Sequence, residues 1–134
     1  MKNIKLLFSL GAVALLVACS DPRPPEEIVA ERAQARWDAL VARDFKTALE
    51  YYSPGFREQV DVKMYAADMV RKPIKWTSAT VRKVECAPPK CETTTEIEYT
   101  ATGAPGNLAG LKSRTFLKGT WLEIDGKWWY SARG

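Results

Sequence analysis

The stretch Trp121-Leu122-Glu123-Ile124-Asp125-Gly126-Lys127-Trp128-Trp129-Tyr130 decides the fold. Two runs rich in aromatic and branched residues flank Asp-Gly, a pair that closes a two-residue hairpin readily because a type I′ turn needs positive φ at both central positions. The turn sets the register: Ile124 opposes Lys127, Glu123 opposes Trp128, Leu122 opposes Trp129, and Trp121 opposes Tyr130. One face then collects Trp121, Trp128 and Tyr130, and the other Leu122, Ile124 and Trp129. Both faces are apolar. One packs on the rest of the domain, and the other meets a curved interior, a partner or water. The alternative is a sheet that curls and buries both sets in one core. With Trp76 and Tyr99, the aromatic residues Trp121, Trp128, Trp129 and Tyr130 form the candidate pocket or interface.

Outward from this hairpin the alternating period persists. Residues 111–124 make its first strand, and a glycine-bearing loop, residues 103–110, precedes it. In residues 91–102, Thr93, Thr95, Ile97, Tyr99 and Ala101 face one way, while Glu92, Thr94, Glu96 and Glu98 face the other. That is a half-buried antiparallel strand with one wet side. Residues 74–86 form another strand, in which Val81 and Val84 fall out of phase and mark a bulge.

Before Pro73 the period is helical. Pro24 and Pro25 suit a first turn, Glu26 and Glu27 favour the positive end of the helix dipole, and Val29, Ala33, Trp37, Leu40 and Val41 share one face up to about Arg43. Asp44 then caps a short helix carrying Phe45, Ala48, Leu49 and Tyr52, and Ser53-Pro54 offers another N-cap. Val62, Tyr65, Ala66, Met69 and Val70 repeat at helical spacing until Pro73 stops the pattern. Helices followed by antiparallel strands predict an α+β domain: three N-terminal helices packed on a curved, mostly antiparallel sheet of about four strands.

The N-terminus carries an address. Lys2 and Lys5 precede an apolar run from Leu6 to Val17, too short for the ~20 residues of a membrane span but suited to a signal peptide. The run ends in Leu16-Val17-Ala18-Cys19, which resembles a bacterial lipobox. The resemblance implies cleavage between Ala18 and Cys19, a thioether-linked diacylglycerol on the Cys19 sulfur, and a further acyl chain, palmitate, on its amine. Several acyl chains anchor where one would not, at ~0.8 kcal/mol per buried CH₂. Ser20, where an Asp would favour the inner membrane of a Gram-negative cell, implies the outer membrane with the domain facing the periplasm. The expected organisation is a signal peptide over residues 1–18, the lipidated cysteine and a proline-rich tether over residues 19–25, and one domain over residues 26–134. The tether reaches only ~20 Å in polyproline geometry.

Assigning Cys19 to lipid leaves Cys86 and Cys91, an even pair in an oxidising compartment, and a disulfide across a strand connection follows. A metal site there would need more ligands, and the chain contains 0 histidines. No metal and no cofactor is expected. The net charge of +4 falls to +2 once Lys2 and Lys5 are removed. The basic residues, Arg32, Arg36, Arg43, Lys72, Lys75, Arg82, Lys83, Lys112, Arg114 and Arg133 among them, are interleaved with acids and read as a solvated surface, which argues against nucleic acid as a partner.

The helical run Trp37-Asp38-Ala39-Leu40, the corner Arg43-Asp44-Phe45, the segment Ala48-Leu49-Glu50-Tyr51-Tyr52-Ser53-Pro54 and the closing hairpin together resemble small bacterial lipoproteins of the nuclear-transport-factor-2-like (NTF2-like) superfamily. The resemblance spans most of residues 26–133 and implies a cone of helices wrapped by a curved sheet. It also raises isomerase or dehydratase chemistry, which needs a pocket carboxylate and an oxyanion-stabilising phenol, acid or histidine. Glu50, Asp68, Glu123 or Asp125 could supply the carboxylate and Tyr52, Tyr65, Tyr99 or Tyr130 the phenol, but no spacing pairs them, so no catalytic residue is assigned.

The leading expectation is a non-catalytic, membrane-anchored binding or scaffold module of the cell envelope. It would use a cone pocket or an aromatic sheet face. The alternatives are an enzyme on the same fold and an accessory subunit of an envelope secretion or assembly system. Expected partners are the membrane through the lipid and a second copy, an envelope protein or a small apolar ligand.

Overall fold

Pro25 opens helix α1 (Pro25–Val41) in the computed structural model, which describes residues 21–103 and 105–133. The expected signal peptide and lipobox, with Ala18 and Cys19, lie outside the described residues. Helix α1 buries Val29, Ala33, Arg36, Ala39 and Leu40. Just past its C-cap, Ala42, Arg43 has a φ of 61° in the left-handed region, and the Asp44 amide donates to the Ala39 carbonyl at 2.8 Å. This wrap-back satisfies a helix-terminal carbonyl and reverses the chain.

Three short helices follow. Helix α2 (Phe45–Leu49) is capped by the Asp44 carboxylate, which accepts from the Thr47 amide, and helix α3 (Pro54–Arg57) by the Ser53 hydroxyl, which accepts from the Phe56 amide. Helix α4 (Val62–Arg71) has its cap at Asp61. The one-turn α3 thus sits at the Ser53-Pro54 signal, between the second and third helices that the apolar spacing predicts. Only Tyr65 of the α4 repeat is fully buried, and Val62 and Val70 face solvent.

The sheet is a four-stranded antiparallel meander in the order β1 (Ile74–Ala87), β2 (Lys90–Ala101), β3 (Lys112–Ile124) and β4 (Lys127–Ser131). The β3–β4 register is the one the Asp125-Gly126 turn predicts, and both turn residues have positive φ. Strand β1 shifts register twice, between Trp76 and Ser78 and between Val81 and Lys83, so the bulge expected near Val81 is present. Between those shifts the Gln34 side chain acts as a short strand: its amide donates to the Ala79 carbonyl and its oxygen accepts from the Val81 amide, both at 2.9 Å. An edge that would otherwise stay unpaired is thereby tied to α1.

Cys86 and Cys91 face each other across the β1–β2 hairpin and are disulfide-bonded, with Cα atoms 4.0 Å apart. The core has two lobes. Leu40, Phe45, Leu49, Tyr52 and Tyr65 fill one, and Val29, Ala33, Cys91, Trp121 and Trp128 fill the other, with Tyr130 packed against both. Among the described residues no helix is long and apolar enough to cross a membrane.

Candidate functional site

The six candidate aromatic residues separate into interior and surface. Trp121 and Trp128 are 1% and 4% exposed and belong to the core, so neither lines an open pocket or interface. Their register puts them on the face that α1 covers, where burying so much apolar surface stabilises the fold. Trp76 and Tyr99 stand opposite each other on β1 and β2, and both are half-buried. Trp76 packs edge-to-face on Trp37 at 5.7 Å. Tyr130 turns inward and Trp129 outward.

The interior holds one side chain that charge counting had placed on the surface. Arg36 is 5% exposed, a correction to its reading as solvated, and it occupies the same face of α1 as Val29, Ala33 and Leu40. Its guanidinium carbon lies 3.6 Å from the Tyr130 ring centre, 5.3 Å from that of Tyr52 and 5.6 Å from that of Trp37. Its Nη2 donates to the Tyr52 hydroxyl at 3.2 Å, and its Nε has no partner among the described residues. Burying an unpaired cation costs several kcal/mol. A hydrogen bond from a charged donor recovers ~1.5–3 kcal/mol, and a desolvated cation–π contact ~2 kcal/mol or more. The aromatic cage therefore makes the position tenable without a carboxylate.

Gly119 builds that cage. A Cβ there would stand 2.9 Å from the Thr93 Oγ1 and 3.2 Å from the Tyr130 Cε2. Without a side chain at this position, the Tyr130 ring lies flush against β3 and reaches Arg36. The Tyr65 hydroxyl, close to Tyr52 and Arg36, is buried with no hydrogen-bond partner among the described residues. Burial first, and Tyr52 second, push its phenol well above the ordinary value.

On the outside, a groove of about 320 Å³ runs between α3 and the end of the hairpin, lined by Phe56, Gln59, Leu122, Ile124, Trp129 and Ser131 among others. Leu122 and Ile124 are exposed. The guanidinium carbons of Arg32 and Arg57 each lie 5.3 Å from the Trp129 ring centre. Burial lowers the Arg32 pKa, with Tyr51 and Glu31 opposing.

No family model matches this sequence. No curated protein matches it either. Solved structures do. A protein of the NTF2-like family from Streptomyces avermitilis aligns with a TM-score of 0.54 at 16% identity, over 78% of this chain and 88% of that one. A ketosteroid isomerase-like protein from Erwinia carotovora atroseptica gives 0.50 at 12%, over 78% and 88%, and a SEC-C motif containing protein from Rhodopseudomonas palustris gives 0.55 at 16%, over 75% and 72%. The fold is NTF2-like. At these identities the likeness extends to architecture alone.

Within this NTF2-like cone, Arg36 is the only charged residue among the described ones to be fully buried. Glu50, Asp68, Glu123 and Asp125, the carboxylates weighed from sequence, are all exposed, and Asp68 pairs with Arg71 at 3.2 Å. The phenols of Tyr52, Tyr65 and Tyr130 converge, as isomerase chemistry would need, but around a cation in place of a base. Among the described residues no three carboxylate or thiol ligands gather to hold a metal. The interior leaves a cavity of about 10 Å³ bordered by Ala33, Arg36, Trp37, Thr93 and Tyr130. That is about the space of one water-sized sphere. Helical spacing could have exposed Arg36, which lies three residues after Ala33 and four before Leu40 on the buried stripe.

Proposed function

We propose that this chain is a non-catalytic, lipid-anchored binding module of the cell envelope that works through the groove over Trp129, outside the cone. The observation that carries the reading is a contrast in space. The interior cavity beside the buried arginine measures about 10 Å³, whereas a groove of about 320 Å³ lies open between α3 and the hairpin. Exposed Leu122 and Ile124 beside half-buried Trp129 suit an apolar group, offered by a small ligand, an envelope protein or a second copy. The lipobox supports attachment at Cys19, and Ser20 supports the periplasmic face of the outer membrane.

Three measurements test this. A neutral apolar fluorophore such as N-phenylnaphthylamine, titrated into the lipid-free domain, is expected to brighten on binding and to lose that response in Ile124→Asp. An unchanged response in that variant rules the groove out. Sedimentation of the same two proteins separates self-association from ligand binding. Metabolic labelling with palmitate is expected to mark the full chain and not Cys19→Ala, and an unlabelled wild-type chain in a host that lipidates other proteins removes the anchor.

A further inference from the structure

The groove over Trp129 joins apolar walls to cations. Leu122 and Ile124 stand exposed in it. Arg133 borders it directly, where the Ser131 hydroxyl accepts from the Arg133 amide at 3.3 Å and donates to the Arg133 carbonyl at 2.9 Å. Two further guanidiniums, those of Arg32 and Arg57, lie against the Trp129 ring that lines the groove. The ion pairs of the described residues engage Arg23, Arg71, Arg82, Lys83, Lys90 and Arg114, and none of these three arginines. Glu31, next to Arg32 in the chain, is held by Arg23 at 2.6 Å, and no described residue lining the groove is acidic. The Nε atoms of Arg32 and Arg57 are buried, which leaves the terminal nitrogens of each fork to meet an anion.

We propose that the groove binds a medium-chain fatty acid, its acyl chain over Leu122, Ile124 and Trp129 and its carboxylate drawn to the guanidiniums of Arg133, Arg57 and Arg32. This deepens the reading of the groove as an apolar binding site and rests on it. Charge selects the head group. Cations without counter-ions beside an apolar wall focus a positive potential, which favours an anionic amphiphile over a neutral or cationic one. The planar arginine fork matches a carboxylate in shape as well as in charge. Size selects the tail, because about 320 Å³ lies at the low end of ligand pockets, with room for one acyl chain and not for the paired chains of a phospholipid. The same charges disfavour a second copy as the occupant. A two-fold contact through this surface is self-complementary by symmetry and would bring both sets of arginines together.

The test titrates the lipid-free domain calorimetrically with decanoate, decanol and butyrate, which separate the head group from the chain. Decanoate is expected to bind at least ~10-fold more tightly than decanol, the gain of a charge-assisted hydrogen bond. Shortening the chain toward butyrate is expected to weaken binding about threefold for each CH₂ removed. The double variant Arg57→Gln, Arg133→Gln is expected to bring decanoate close to decanol while decanol binds as in wild type, which also shows that the variant is folded. Equal affinity for decanoate and decanol in the wild type overturns the fatty acid and leaves the apolar groove standing. A preference for decanoate that survives in the double variant overturns the assignment of the arginines. Binding of neither compound, together with no response of N-phenylnaphthylamine, overturns the groove itself. A dimer in sedimentation that saturating decanoate does not dissociate puts a second copy in the groove and overturns the proposal.

Discussion

The Arg36 guanidinium carbon lies 3.6 Å from the centre of the Tyr130 ring, so the first long helix and the last strand meet through a cation on an aromatic face. Removing the ring strands the charge. Tyr130→Leu is expected to lower unfolding stability by ~3 kcal/mol. Arg36→Met removes the charge together with its desolvation cost and is expected to stay within ~1 kcal/mol of wild type. Urea unfolding of both variants and the double variant should give a coupling energy of ~2 kcal/mol. Additivity would mean that the ring packs without serving the cation.

Gly119 is a second control point. Gly119→Ala places a methyl 2.9 Å from the Thr93 Oγ1 and 3.2 Å from the Tyr130 ring, both too close to stand unchanged. A loss of ~1–3 kcal/mol is expected. Thr93→Ala in the same chain should recover part of it by removing the nearer atom. A calorimetric melt of the three proteins checks the order.

The Cys86–Cys91 bond closes a short hairpin loop, with 5 residues of sequence separation. Loop entropy puts its contribution at ~2 kcal/mol. Dithiothreitol, or paired replacement by serine, is expected to lower the melting temperature by ~10 °C while far-ultraviolet circular dichroism at room temperature stays unchanged.

The Tyr65 hydroxyl is buried without a partner, and burial raises its phenol pKa in the folded state. Unfolding lets it ionise near the ordinary phenol value of ~10. The folded state therefore holds the proton more tightly, and stability falls as pH rises above that value. Tyr65→Phe should flatten the alkaline limb of the stability curve. At pH 7 it should be neutral or gain up to ~1 kcal/mol, because no hydrogen bond is lost. A marked loss at pH 7 would show that the hydroxyl has a bonding partner after all.

Local rules made most of the architecture legible. Asp44, Ser53 and Pro73 act through bonds to their own neighbours or through ring geometry, so their meaning does not depend on distant chain. Asp125-Gly126 fixes a register in the same way, and alternation in β2 names its buried side as Thr93, Thr95 and Ile97. Arg36 escaped because a charge count treats every arginine alike. Only its place on the buried stripe of α1, and the rings that gather there from the segment after α2 and from β4, distinguish it.

The hairpin shows the same division. Sequence alone determined that Trp121, Trp128 and Tyr130 share a face opposite Leu122, Ile124 and Trp129, because side chains alternate strictly along a strand. It could not determine which face is inside. Tertiary structure decided that, since α1 covers the first face, fills the cone with Trp121 and Trp128, and leaves Trp129 at an outer groove. The physical reason is that periodicity is a property of consecutive residues. A pocket is the space left over after elements far apart in sequence have packed, and the balance between a buried cation and the rings around it is settled only there.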